Sequence, residues 1–345
     1  MIFKVLHIYS DFLFFTMSFP EKKPCRIIVL DNNIPQISLC YHVDNKEDTI
    51  SKPSHQDWNV SYDLGETWKE AKKVKRKNSS LFKVDVVVYP ELSLKNLVIT
   101  QIYQVLFNLA PAIEVSLWKG MRLTTQLVLP VYNDGYPFLY NKVHPGFIGI
   151  SQMVRLPYNI WGTFTIGHFS NERYGMDLKF THRLIRDNRF GIEARIGYTG
   201  AAYWDGFTCH YGTKMKLTWS LGGSFYWPQY NIETSMKCEQ YLLGEKGVRI
   251  DVIRHFRYAS IGFFAMKSPD AKANGGFRFQ IALPPYKYKR KGYIPRVTPS
   301  RNMGMAYNAG NEQYSYKTYR ASPGDNIMQS NSFNPYFIKS ELLNF

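Results

Sequence analysis

The feature that most restricts the fold is a series of long segments in which apolar and polar side chains alternate without a break. In residues 173–184, Tyr174, Met176, Leu178, Phe180, His182 and Leu184 share one face. Arg173, Gly175, Asp177, Lys179, Thr181 and Arg183 share the other. Strand side chains alternate faces with period two, so each segment is one apolar ribbon backed by one polar ribbon. After the turn signal RDN the pattern repeats, with Phe190, Ile192, Ala194, Ile196 and Tyr198 opposed to Arg189, Glu193, Arg195 and Thr199. It continues in GTKMKLTWSLGGSFYW (212–227), where Met215, Leu217, Trp219 and Leu221 oppose Lys214, Lys216, Thr218 and Ser220.

Twelve such candidate strands lie between Lys83 and Pro284, and helical periodicity is nearly absent there. Many exceed the five or six residues usual in soluble sheets and reach the 9 to 11 that a tilted strand needs to cross a bilayer. Asp177, Lys179, Glu193, Arg195, Lys214, Lys216 and Arg278 all keep to the polar face, and the opposite face is almost uncharged. Hydrocarbon cannot solvate a charge or an open sheet edge, so a membrane barrel requires this one-sidedness. A soluble carbohydrate-binding β-sandwich explains the alternation but not the uncharged face. The expected fold is therefore all-β, an antiparallel transmembrane barrel of about twelve strands, closed by GGFRFQIALP (275–284).

The expected organisation has four parts. Residues 1–23 resemble a short signal peptide whose apolar core is interrupted by Asp11. Residues 24–82 form a small α/β or β module with a linker, its runs RIIVL and QISLCYHV making a hairpin across an Asn-rich turn. Residues 83–285 are the barrel, and residues 286–345 an irregular tail rich in Tyr, Asn and Lys.

A formal charge of +16 suits nucleic acid, anionic headgroups or an acidic polysaccharide. The basic runs KKVKRK (72–77) and KYKRK (287–291) sit in loop-like sequence, with neither zinc-finger spacing nor an RNP-type aromatic motif, which sets nucleic acid aside. Cys25, Cys40, Cys209 and Cys238 contain no CxxC, so no metal cluster is expected and the thiols read as inert. The sequence lacks GxSxG, HExxH, a Walker loop and a dinucleotide fingerprint. His168, Ser170 and His182 are the nearest approach to a rim hydrolase. The acid pairs Asp177/Glu193 and Glu233/Glu239 share their faces with Lys and Arg, which suggests salt-linked lumen networks over glycosidase chemistry. The expectation is a non-enzyme with no cofactor.

Several stretches, in this order, resemble one family. They are IEVSLWKGMRLTTQLVLPVYND (113–134), GTFTIGHFSNERYG (162–175), RFGIEARIGYTG (189–200), IGFFAMK (261–267) and NGGFRFQIALPP (274–285). Together they are similar to the YjbH/GfcD-type exopolysaccharide biosynthesis proteins. The resemblance implies a β-barrel of the bacterial outer membrane, in contact with its lipid and with other exopolysaccharide secretion proteins, that works in polymer export or assembly. The alternative readings are a general porin or adhesin.

On the preferred reading, Arg173, Asp177, Lys179, Glu193, Arg195, Lys214, Lys216 and Arg278 line the lumen and bias it toward an anionic polysaccharide. Arg173 is expected to pair with an inward acid such as Glu193. Tyr198, Tyr203 and Trp204 are candidates to stack on sugar rings or to serve as an interfacial girdle. A barrel of twelve strands is small enough for its interior to be occluded, which favours a plugged scaffold over an open pore.

Overall fold

The computed structural model describes residues 2–8, 25–31, 34–41, 58–61, 81–95, 104–170, 172–183, 189–256, 259–269, 273–283, 292–300, 302–308 and 318–326. Among these there is no α-helix.

Four strands form a separate sheet in the order β1 (Ile2–Ile8), β2 (Cys25–Asp31), β3 (Ile34–Tyr41), β4 (Trp58–Ser61). The expected hairpin is β2–β3, with Asp31 opposite Ile34. Strand β1, parallel to β2, falls in the segment that reads as signal-like.

The remaining strands make a closed barrel of thirteen. Twelve follow one another as antiparallel neighbours: β5 (Val84–Lys95), β6 (Gln104–Trp118), β7 (Met121–Asp134), β8 (His144–Leu156), β9 (Ile160–Phe169), β10 (Arg173–Arg183), β11 (Phe190–Asp205), β12 (Thr208–Trp227), β13 (Ile232–Gln240), β14 (Lys246–His255), β15 (Ala259–Lys267) and β16 (Asn274–Ala282). The thirteenth is interrupted, as β17 (Arg296–Pro299) and β18 (Asn302–Asn308).

Closure differs from the sequence expectation. Strand β16, which contains GGFRFQIA, pairs onward with β18 in the tail, and it is β17 and β18 that meet β5. An odd number of up-and-down strands leaves its first and last strands running the same way, so this seam is parallel. The interruption lies opposite Pro90, whose ring nitrogen has no hydrogen to give.

The two faces divide as the alternation predicts. Outward positions expose Ile150, Ile196, Leu221, Ile250 and Phe263, the last 64% accessible, while Asp85, Asp177 and Asp251 on inward positions are buried. The uncharged outer stretch of β14 runs between Lys246 and Arg254. At roughly 3.4 Å per residue this is about 27 Å of strand.

Two rims follow from the connections. The near rim, where β5 begins, carries tight links such as Lys119–Gly120 between β6 and β7 and Pro157–Asn159 between β8 and β9. The far rim carries the longer link 135–143 beside tight ones such as 206–207, and the hairpin β11–β12 rises above its neighbours there. Strand β13 pairs with β12 only from Trp219 onward.

Candidate functional site

The lumen is a lattice of ion pairs set by strand register. Asp177 faces Gly197 and Lys179 faces Arg195 across β10 and β11, which puts Asp177 and Arg195 on a diagonal within side-chain reach. Arg195 Nε meets Asp177 Oδ2 at 2.7 Å. Glu193 accepts Lys179 at 3.1 Å and Lys237 at 2.6 Å. The second contact crosses a whole strand. Gly222 of β12 lies between Glu193 and Lys237 in register, and a Cβ there would come within 2.5 Å of Lys237 Cγ, so only the missing side chain lets the lysine pass.

Further along the wall, Glu233 is flanked by His255 Nε2 at 3.3 Å and Arg183 at 3.9 Å. Arg249 chelates Asp251 at 2.7 and 2.8 Å. Arg249 and Arg278 both lie over the Phe264 ring, at 4.7 and 5.3 Å. Across the seam Arg296 holds Asp85 at 3.0 Å.

Into this lattice the chain inserts a segment of its own tail, residues 318–326. The Tyr319 ring stacks on Phe169 at 5.4 Å, and Phe169 stacks in turn on Phe147 at 6.1 Å. With Leu242 and Ala321 these rings form a buried apolar cluster inside a polar lumen. The Tyr319 hydroxyl donates to Asp177 Oδ2 at 2.5 Å, and the Arg195 guanidinium covers the ring at 4.9 Å. Gly197 makes the space, because a Cβ there would stand 1.7 Å from the Tyr319 hydroxyl oxygen.

Beside Tyr319, Arg320 forms an antiparallel bridge to Ser170, whose hydroxyl donates to the Arg320 carbonyl at 3.4 Å. Asp325 closes the segment's own turn by accepting from the Ala321 amide and the Ser322 hydroxyl, and its carboxylate reaches to 3.9 Å from Arg195. A cavity of about 80 Å³ remains between the segment and the wall, with Arg195, Thr218, Ser220, Glu239, Thr318 and Tyr319 in its lining. Tyr319 is 7% accessible and Asp177 3%. Burial and the neighbouring carboxylate push the Tyr319 phenol well above its ordinary pKa.

The sequence-predicted residues divide into three groups. Asp177, Lys179, Glu193, Arg195 and Arg278 take inward positions, as their phase requires, and the first four are ion-paired. Lys214 and Lys216 are exposed near the far rim, at the mouth and clear of the ion-pair lattice. Arg173 does not pair with Glu193. Eight residues along β11 separate Glu193 from Ala201, the register partner of Arg173, and Arg173 instead donates to the Thr199 carbonyl at 2.8 Å.

Trp204 is committed to the scaffold, with its indole N–H donating to His168 Nδ1 at 3.3 Å and its ring 5.2 Å from the imidazole. The Lys142–Asp205 ion pair at 2.6 Å holds the same hairpin tip against the β7–β8 connection. Tyr203 stacks on His210, and Tyr198 lies half exposed on the outward face. His168 and Ser170 do not act together, because Ser170 engages Arg320. Cys209 and Cys238 are free thiols, and the side chains of Cys25 and Cys40 lie outside the described residues.

The sequence reading missed Phe147, Phe169, Gly197 and Tyr319, the parts that seat the tail. No family model, curated protein or solved structure matches this chain.

Proposed function

We propose that this chain is a non-catalytic β-barrel of the bacterial outer membrane that serves exopolysaccharide export or assembly as a self-plugged conduit. One observation carries the reading, namely that Tyr319 and its neighbours occupy the lumen and are latched to Asp177 and Arg195. The apolar outer belt supports the membrane setting, since an exposed uncharged face around a closed barrel matches hydrocarbon and has no use in water. The polymer part rests on the family resemblance and on the exposed Lys214 and Lys216 at the far mouth.

Because the internal carboxylates are answered by Lys and Arg within the wall, the closed lumen carries little uncompensated field. A passing polyanion would meet its first free cations at the rim. Purified protein in planar bilayers should show little steady conductance, and large stable channels in the unmodified chain would overturn the plugged reading. In cells, Lys214→Glu with Lys216→Glu should leave membrane insertion intact and lower surface polymer. Unchanged polymer would remove the mouth from the mechanism.

A further inference from the structure

The cavity beside Tyr319 comes from a mismatch in one row of the barrel wall. In register, Arg195 of β11, Ser220 of β12 and Glu239 of β13 lie side by side on inward positions. Two strand spacings, about 10 Å of backbone, separate the two charged residues, and the serine between them is too short to fill the gap. Arg195 is drawn the other way, its Nε held by Asp177 of β10 at 2.7 Å. Its Nη2 is buried without a hydrogen bond, with the Asp325 carboxylate 3.9 Å away. Glu239 is left behind. Lys237 is taken by Glu193 at 2.6 Å and Arg249 by Asp251 at 2.7 Å. Both lie in the field of Glu239, as does Arg278, but among the described residues no hydrogen bond or ion pair reaches its carboxylate. Thr318 and Tyr319 of the tail segment complete the lining, and about 80 Å³ remains.

That lining selects its occupant. One guanidinium and one carboxylate in the same cavity favour neither an anion nor a cation. What completes them is a group that accepts from Arg195 and donates to Glu239. A hydroxyl does either, and two on adjacent carbons do both, with the Ser220 hydroxyl as a further partner. Size narrows the choice. One water needs about 10–15 Å³ of such space, so the cavity takes roughly five to eight non-hydrogen atoms, the diol edge of a pyranose and not the whole ring.

We infer that this cavity is a subsite for the vicinal diol of a sugar unit, with Glu239 as acceptor and Arg195 as donor. The inference rests on the self-plugged export reading proposed above and adds to it a point of contact with the polymer. Wall and plug each supply part of the lining, so the sugar is held in full only while the plug is docked. By linkage, its binding holds the plug shut.

The test uses the full chain in detergent micelles with methyl α-mannopyranoside as the probe. The rate of trypsin cleavage after Arg320, which is bridged to Ser170 while docked, is normalised to cleavage of a free peptide in the same solution. Protection is the ratio of the rates without and with the sugar. A contact of this size gives a Kd of about 10 mM, so about 100 mM sugar should protect roughly tenfold. Tetraethylene glycol, which has no adjacent hydroxyl pair, should give no protection. Glu239→Ala should lose the protection, and Glu239→Gln, which keeps an acceptor oxygen, should retain part of it. Protection that is absent from the unmodified protein, equal with both solutes, or undiminished in Glu239→Ala overturns the subsite while leaving the plug in place. Cleavage that is already as fast without sugar as in Tyr319→Ala shows an undocked segment, and the plugged reading then fails together with the cavity it forms.

Discussion

Replacing Tyr319 with alanine should free the tail segment from the lumen. The ring is almost wholly buried between Phe169 and Arg195, and burial of a side chain of this size is worth about 1.5–3 kcal/mol. Its hydroxyl also donates to the Asp177 carboxylate, and a hydrogen bond to a charged group adds about 1.5–3 kcal/mol. Arg195 still holds Asp177 at 2.7 Å after the change, so no buried charge is stranded and no further penalty accrues. A loss of about 3 kcal/mol raises the undocked population roughly a hundredfold. The readout is trypsin cleavage after Arg320, which in the docked state is bridged to Ser170 and shielded by the wall. Where docking is fast relative to cleavage, the rate follows the undocked population.

A second variant approaches the same contact from the wall. Gly197→Ala places a methyl 1.7 Å from the position of the hydroxyl oxygen, so the ring must leave. Because both changes destroy one interaction, the double variant should cleave no faster than either single, a non-additivity that two independent defects would not produce. Tyr319→Phe should retain the stack and lie between. A rate for Tyr319→Ala within tenfold of the unmodified protein, or full additivity with Gly197→Ala, would refute the latch.

Two other outcomes follow from the same lattice. Gly222→Val should block the path of Lys237 to Glu193; Glu193 keeps Lys179 at 3.1 Å, so the cost is that of one charge-assisted hydrogen bond, about 1.5–3 kcal/mol. The folded band on unheated gels should then convert at a lower temperature, and an unchanged conversion would show that the contact adds nothing. Raised pH should loosen the plug. The docked Tyr319 phenol titrates above its free value, so its contribution is complete below about pH 10 and is lost as pH climbs from there toward the docked pKa. Bilayer conductance should therefore grow in strong alkali for the unmodified chain and remain flat for Tyr319→Phe.

The barrel wall was legible because its signal is local. In β10 and β11 each residue declares its face by the chemistry of its neighbours two positions away, and the predicted inward set from Asp177 to Arg195 is the observed one. Strand β18 carries the same signal in Met303, Met305 and Tyr307, which meet Ile281, Phe279 and Phe277. At seven residues in a polar tail it offers too few periods to stand out. The latch has no local signal at all. Tyr319 and Asp177 are 142 residues apart, and nothing around Tyr319 alternates. Gly197 and Gly222 carry no signal in the alternation, although each is small because a side chain from elsewhere, Tyr319 or Lys237, must pass over it. Arg173 failed for a similar reason, because phase fixes which face a side chain takes but not its height along the barrel.

The position of the latch bears on how such a plug could move. Counting around the barrel, β10 is five strands from β5 on one side and seven from β18 on the other, so the latch faces the parallel seam from nearly the opposite wall. Thirteen strands about 4.8 Å apart and tilted near 40° enclose a backbone diameter of roughly 25 Å. From Asn308, where β18 ends, to Thr318, ten residues can span about 33 Å when extended, so the tail can cross the lumen with little slack. The contacts that latch the Tyr319 ring, Phe169, Asp177 and Arg195 on β9 to β11, are separate from the pairs that close the wall, where Arg296 grips Asp85 and Ser300 donates to the Val88 carbonyl, although Arg320 beside the ring also lies in the field of Glu91 on β5. Withdrawal of the ring therefore leaves the Asp85–Arg296 pair and the Ser300–Val88 hydrogen bond of the seam in place. A disruption confined to the latch should open the pore of a barrel that still migrates as folded, whereas a disruption of the Asp85–Arg296 pair should weaken the barrel and leave trypsin cleavage after Arg320 unchanged for as long as it stays closed.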